Sequence, residues 1–370
     1  MSVAKMLQFM VQNNASDLFV TALKPPCVKI DGKIRPITQE SLTAEASRDL
    51  AYSIMNEEQR RQFEATKECN FAIYPVEIGR FRVNVFIQQG AVGMVLRTIQ
   101  TYIPEIEELH LPPVIADLAM EKRGLIIFVG GTGTGKSTSM AAMLGYRNQN
   151  SYGHIITVED PIEYVHEHRN CVVTQREVGV DTDTFETALI NAMRQAPDVI
   201  QIGEVRTRDT MDNAIVFSET GHLCLATLHA NNTYQAMDRI INFFPEERRT
   251  QLLMDLSMNL KALVSQRLLP IKDRKGRVPA IEVMINTPLI SDLILRGEMH
   301  EIPDVIARST EQGMQTFDQA IYNLYEQDFI TYEDAIRNAE SKNDVRLRIK
   351  LEGKDADAES LGESLKNVKF

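Results

Sequence analysis

The stretch that most constrains this chain is "GGTGTGKST", residues 130–138, set between the apolar run "LIIFV" and the helix-forming "STSMAAMLGY". Gly130 to Ser137 fits G-x-x-x-x-G-K-[ST] in full. A strand, a glycine-rich turn and a helix in that order aim backbone N–H groups at phosphate oxygens, and the helix N-terminus adds a favourable dipole. Gly131, Gly133 and Gly135 permit the turn, and Thr132, Thr134 and Thr138 complete the phosphate-binding stretch. Lys136 is expected to reach the β- and γ-phosphates of ATP and Ser137 to ligate Mg²⁺. While no nucleotide is bound, the Lys136 side chain is expected to stand in solvent. A chance glycine turn would lack the flanking strand and helix.

Around this loop the chain repeats strand, loop and helix: "GLIIFVGG", "HIITVED", "DVIQIGE" and "HLCLATLHA" are short apolar runs separated by helical stretches. That alternation predicts a mostly parallel sheet covered by helices. Residues 1–103 read differently. They hold a helix in "VAKMLQFMVQNN", a strand near Leu18–Thr21, a hairpin at Asp31-Gly32, a helical pattern from Thr43 to about Ala65, and two or three alternating strands. The expected divisions are a small α+β domain over 1–103, a proline-containing linker and helix over 104–122, the ATPase core over 123–287, a helical region over 288–350 and a polar tail over 351–370.

Two further strands end in acids. "TVEDPIEY" brings Glu159, Asp160 and Glu163 together, with Pro161 ending the strand. Alone it would read as a solvated acidic turn; beside a phosphate loop, carboxylates are what Mg²⁺ and an attacking water require. "PDVIQIGEVRTRD" places Gly203 and then Glu204 where such strands usually carry a magnesium-holding aspartate. In "GHLCLATLHANN", His222 and His229 flank a strand, which favours a γ-phosphate sensor over two structural histidines. In "GRFRVNVF", Arg80 and Arg82 alternate with apolar residues and share a face, and Arg97 lies on the next strand. The alternative for Arg82 and Arg97, ordinary solvent-facing strand arginines, is the less favoured reading.

The four motifs, in this order and spacing, resemble the Walker A, Asp box, atypical Walker B and His box of the secretion-ATPase superfamily. "QREVGVDTDTF", "ETGHL" and "GMQTFD" are similar to the PilT/PilU family of type IV pilus retraction ATPases, and the "GGTGTGKST" wording to its PilU subgroup. The resemblance implies an α/β fold: a PAS-like α+β N-terminal domain followed by a RecA-like P-loop ATPase domain with C-terminal helices. It implies Glu204 as the Walker B acid, acting through metal-bound water, with Ser137 and Glu159 also near the metal. It implies Glu163 as the base that orients water, and Arg82 and Arg97 as arginine fingers reaching a nucleotide held between domains or subunits. The implied assembly is a homo-hexamer, cytoplasmic and peripheral to the inner membrane at the pilus base. Its implied partners are a PilT-type retraction ATPase and the inner-membrane platform protein. One segment departs from the pattern: "LISDLILR", residues 289–296, has Ser291, Leu295 and Arg296 where retraction ATPases of the PilT type carry Arg, Arg and Glu. This suggests an accessory motor that depends on PilT.

Charge and composition narrow the alternatives. With 51 Asp and Glu against 40 Lys and Arg, the formal net charge is −11, which argues against a general nucleic-acid binder. The four cysteines have no C-x-x-C spacing, so neither a zinc site nor a disulfide framework is expected. No run approaches the roughly 18 apolar residues of a membrane span, so membrane contact is expected only through partners. Two rivals remain: a type II or type IV secretion ATPase acting on another cargo, and a nucleotide-gated scaffold for a partner ring with little hydrolysis of its own.

Overall fold

The computed structural model describes residues 1–353; apart from its first three residues, the expected polar tail lies outside them. The chain forms two compact units. The first comprises 1–103 with 160–166 and 176–184, and the second comprises 104–159, 167–175 and the chain from Phe185 onward. The two short segments, expected inside the ATPase core, are thus part of the first unit.

In the first unit, helix α1 (Val3–Gln12) buries Val3, Met6, Leu7 and Met10, one stripe at helical spacing. Strands β1 (Asp17–Val20), β2 (Cys27–Ile30) and β3 (Lys33–Pro36) follow. Asp31 and Gly32, both at positive φ (50° and 76°), make the two-residue β2–β3 turn that suits the twist of paired strands. The single helical pattern expected over 43–65 is two helices, α2 (Ala44–Tyr52) and α3 (Glu57–Thr66), because Asn56 and Gln59 form a capping box that starts a new helix. Strands β4 (Glu68–Ile73), β5 (Arg80–Gln88) and β6 (Ala91–Ile99) complete an antiparallel sheet of order β3-β2-β1-β6-β5-β4. Alternate residues of β5 (Phe81, Val83, Val85) face a core shared with α1, α2 and α3.

The second unit opens with α4 (Val114–Ala119), then β7 (Gly124–Val129), α5 (Lys136–Asn150), β8 (Gly153–Glu159) and β9 (Cys171–Glu177), whose last two residues count with the first unit. There follow α6 (Phe185–Ala192), β10 (Val199–Ile202), α7 (Arg208–Glu219), β11 (Leu223–Leu228), α8 (Thr233–Asn242) and α9 (Glu246–Asn259). Strands β12 (Leu260–Pro270) and β13 (Arg277–Ile285) close a seven-stranded sheet of order β13-β12-β7-β11-β10-β8-β9. The pairs β12–β7, β7–β11, β11–β10 and β10–β8 are parallel, and β12–β13 is antiparallel. Every residue of β7, β10 and β11 is buried, as continuous apolar runs in a sheet covered on both faces require.

Five helices end the described chain: α10 (Pro288–Arg296), α11 (Ile302–Arg308), α12 (Phe317–Glu326), α13 (Tyr332–Asn338) and α14 (Lys342–Glu352). Helices α12 to α14 pack a small core on β12 and β13 through Phe317, Ile321 and Ile349. The departing segment "LISDLILR" falls on α10, with Thr287 as N-cap and Gly297 at φ 77° beyond its end. Its Ile290, Leu293 and Ile294 are buried, while Leu295 and Arg296 are exposed. The Ser291 hydroxyl donates to Ser257 O of α9 at 2.7 Å, so this position is committed to the neighbouring helix. Arg296 pairs with Asp292 one turn back.

Candidate active site

Parallel register brings the carboxyl ends of four strands side by side. Val158 of β8 pairs with Ile202 of β10, Ile202 with Ala226 of β11, and Leu228 of β11 with Val129 of β7. The residues that follow those ends are Glu159, Gly203-Glu204, His229 and Gly130. In open α/β sheets ligands bind beyond the carboxyl ends of the strands, so this end of the second unit is the candidate site.

The phosphate loop turns directly from β7 into α5. Gly135 has φ +88°, and a Cβ there would lie 2.6 Å from Gln266 Nε2. Only glycine meets both demands at low cost. Gln266, buried on β12, is a residue that sequence reasoning missed; its Oε1 accepts from the Ser139 hydroxyl of α5 at 2.8 Å and ties the loop to the sheet. Its signal was a polar residue inside the apolar run "ALVSQRLL", in a strand that was itself unread. Ser137 and Thr132 are exposed, while Thr134 donates to Gly131 O at 2.9 Å.

Lys136 is not in solvent, contrary to expectation. It is only 8% exposed, and its Nζ donates to Gly130 O and Gly131 O, both at 2.8 Å. Burial lowers its pKa, and the nearby Glu204 charge opposes that shift. An ammonium displaced from water needs partners, and the loop's own carbonyls supply them.

Glu204 sits between two donors. Arg206 reaches its Oε2 through Nε at 2.8 Å and Nη2 at 2.7 Å, a two-point guanidinium–carboxylate contact, and His229 Nε2 donates to Oε1 at 3.0 Å. Burial first, and the Lys136 charge second, lower the His229 pKa, while the adjacent Glu204 charge opposes the shift. Gly203 N donates to Val158 O at 2.7 Å and its carbonyl accepts from the Thr227 hydroxyl, which continues the sheet up to the acid. Glu159 is buried; its Oε1 accepts from the Thr157 hydroxyl at 2.6 Å and from Gln175 Nε2 at 3.2 Å.

Glu159 ends β8 in the second unit, whereas Asp160 and Glu163 belong to the first. Among the described residues no group of three His, Cys, Asp or Glu is placed to hold a metal. Mg²⁺ bound with a nucleotide commonly takes one or two carboxylates beside phosphates and waters, so the two carboxylates Glu204 and Glu159, with the Ser137 hydroxyl, could hold it without a third acid. His222 precedes β11, at the amino end of the strand that carries His229 at its other end. Seven residues of extended chain separate them by roughly 20 Å. Within this unit only His229 joins the phosphate loop; the His222 ring lies near the Thr220 hydroxyl and Phe217 O.

In the first unit, Arg82 and Arg97 are direct cross-strand partners on β5 and β6, which puts them on one face. Arg97 Nε donates to Oδ1 of the buried Asp17 at 2.9 Å, and this bond raises its pKa. Arg82 Nε lies 4.0 Å from Oε1 of the buried Glu177. Glu163 is exposed, and its carbonyl accepts from Gln100 N at 3.3 Å, just past the end of β6.

Residues 1–285 match the family described as "Type II/IV secretion system protein". The chain belongs to this family. It is 61% identical to the type IV pilus ATPase PilU of Pseudomonas aeruginosa, with 98% of this chain and 94% of that protein covered. It is 40% identical to the type IV pilus retraction ATPase PilT of the same organism, covering 92% of this chain and 98% of the other. A crystal structure of the pilus retraction motor PilT with bound ADP superposes with a TM-score of 0.87 at 40% identity, covering 94% of this chain and 99% of that one. All three similarities cover more than nine-tenths of this chain, so they include both the antiparallel N-terminal sheet and the parallel ATPase sheet. Among the described residues, no helix is long and apolar enough to cross a membrane.

Proposed function

We propose that this chain hydrolyses ATP with Mg²⁺ as a subunit of a homo-hexameric ring that drives type IV pilus retraction, working with a PilT-type ATPase. One observation carries the reading: four adjacent parallel strands deliver the phosphate loop, Glu159, Glu204 and His229 to one end of the sheet. The family and the pilus ATPases it resembles supply the kind of work.

In this reading, ATP takes the place of the Gly130 and Gly131 carbonyls as partner of Lys136. Loop N–H groups then hold the β-phosphate, and Ser137, Glu204 and Glu159 would hold Mg²⁺, whose charge would offset that of the phosphate oxygens. Arg206 holds Glu204 Oε2 and so fixes where that carboxylate lies. His229, 3.0 Å from Glu204, would report whether the γ-phosphate is present. Glu163 takes the proton of the attacking water, and Arg82 and Arg97 stabilise charge developing on the transferred group. Arginines supplied by one subunit to the next make head-to-tail contacts, and these close naturally into rings. The protein would work in the cytoplasm against the inner-membrane platform protein.

Dependence on PilT rests on α10. Where retraction ATPases of the PilT type carry an arginine, Ser291 is bonded into α9, and Arg296 reverses the usual charge at its position. Changes of charge on a partner-facing helix act chiefly on specificity. The test is expression in two strains. Retraction should return where PilT assembles but has a dead active site, and should not return where PilT is missing. Robust retraction in the second strain would make this protein a complete motor.

A further inference from the structure

Glu177 ends β9 inside the first unit and is 1% exposed. Its backbone is pinned: its N–H donates to Asp181 Oδ2 at 2.8 Å, and its carbonyl accepts from Asp181 N at 2.8 Å. Its carboxylate is used unevenly. Oε2 accepts the N–H of Ile162, the residue before Glu163, at 3.2 Å. Oε1 is buried with no hydrogen-bond partner among the described residues, and it lies 4.0 Å from Arg82 Nε. A buried carboxylate oxygen left unmatched carries a desolvation cost, and native proteins rarely keep one without a use. The neighbouring finger is held otherwise, since Arg97 meets Asp17 at full hydrogen-bond distance.

We propose that Glu177 is a positioning residue that holds two parts of the reaction with one carboxylate, the Glu163 loop through Ile162 and the Arg82 guanidinium through charge. This rests on the reading of Arg82 and Glu163 given above. The two oxygens divide the work. The Ile162 bond sets where the loop backbone lies, whereas the loose contact draws Arg82 without closing on it, so the guanidinium is free to leave for a phosphate. A tight pair, like that of Arg97 and Asp17, would have to be broken each time. Burial raises the Glu177 pKa, while the Ile162 bond and the Arg82 and Arg80 charges oppose the rise; the Asp181 charge adds to it.

The test uses the full chain. Glu177→Gln is isosteric and keeps an acceptor for Ile162 N–H, but it removes the charge facing Arg82. Its kcat for ATP should fall at least about fivefold, with KM and melting temperature close to wild type. In an Arg82→Ala background the same substitution should change kcat by less than about twofold, because residues that act through one another are not additive. Glu177→Asp, which keeps the charge on a shorter arm, should lie between wild type and Glu177→Gln. A wild-type kcat in Glu177→Gln, an equal loss in both backgrounds, or a slower Glu177→Asp than Glu177→Gln would each overturn the proposal. Full turnover by Arg82→Ala alone would instead remove the arginine-finger reading, and this inference with it.

Discussion

Replacing Gly135 by alanine probes the phosphate loop where its geometry is tightest. The residue sits at φ +88°, and holding alanine in the left-handed region costs about 1–2 kcal/mol. The new Cβ would stand 2.6 Å from Gln266 Nε2, so the amide must swing away and give up the Ser139 hydroxyl, a loss of about 1–2 kcal/mol for a buried pair. The Leu268 methyls, at 3.5 and 3.7 Å, are in ordinary contact and add nothing. The sum is about 2–4 kcal/mol, on the order of 10 °C in melting temperature for a domain of this size. Four proteins should be melted without nucleotide: wild type, Gly135→Ala, Gln266→Ala and the double variant. Crowding predicts that the double variant loses about 1 kcal/mol less than the sum of the singles, because the clash is gone and only the backbone strain remains. Nucleotide affinity of Gly135→Ala should drop at least about tenfold, since the loop's N–H groups no longer converge. Strict additivity, or a Gly135→Ala protein that melts and binds like wild type, would refute this account of the loop.

Lys136→Ala should cost the free protein only about 1–2 kcal/mol, the lost carbonyl bonds being partly offset by relief of a buried ammonium, and ATP should no longer raise its melting temperature. Near-normal hydrolysis in that variant would undo the phosphate-loop assignment. Glu163→Gln should bind ATP yet stall turnover, because an amide takes no proton; if Glu204→Gln alone stalls, the two acids are reversed. His229→Ala should slow hydrolysis several-fold and His222→Ala should leave it nearly unchanged, as measured by phosphate release, because they occupy opposite ends of β11. Mixing Arg82→Ala with Glu163→Gln chains should recover some activity if the arginines act across subunits; no recovery in rings shown to be mixed would place their action within one chain.

Residues that lie at strand ends were legible in the sequence, and those that depend on tertiary pairing were not. Glu159, Glu204 and His229 each follow a short apolar run, and parallel register alone carries them to a common end of the sheet. A strand flanked by two histidines sends them opposite ways, so His222 lies at the other end of β11 from His229. Gln266, Arg206, Asp17 and Glu177 went unread as site residues: nothing local in "VSQRL" or "ASDLF" tells which loop or arginine will meet the side chain. Lys136 was misplaced for a related reason. Its partners are carbonyls of its own loop, which the motif's letters do not show. The split of α2 from α3 was legible in principle, since Asn56 and Gln59 spell a helix start.

The chain changes unit five times, between 103 and 104, 159 and 160, 166 and 167, 175 and 176, and 184 and 185. The protein therefore has no seam. A fragment ending at residue 103 would carry Arg82 and Arg97 but neither Glu163 nor Glu177, and a fragment beginning at 104 would carry both acids without the sheet they pack with. A protease that cut the 103–104 joint would leave four covalent ties intact. Deletion series and domain swaps built on that joint would thus report the loss of shared parts as though it were the loss of a module. A working exchange between relatives has to move 160–166 and 176–184 together with the N-terminal sheet.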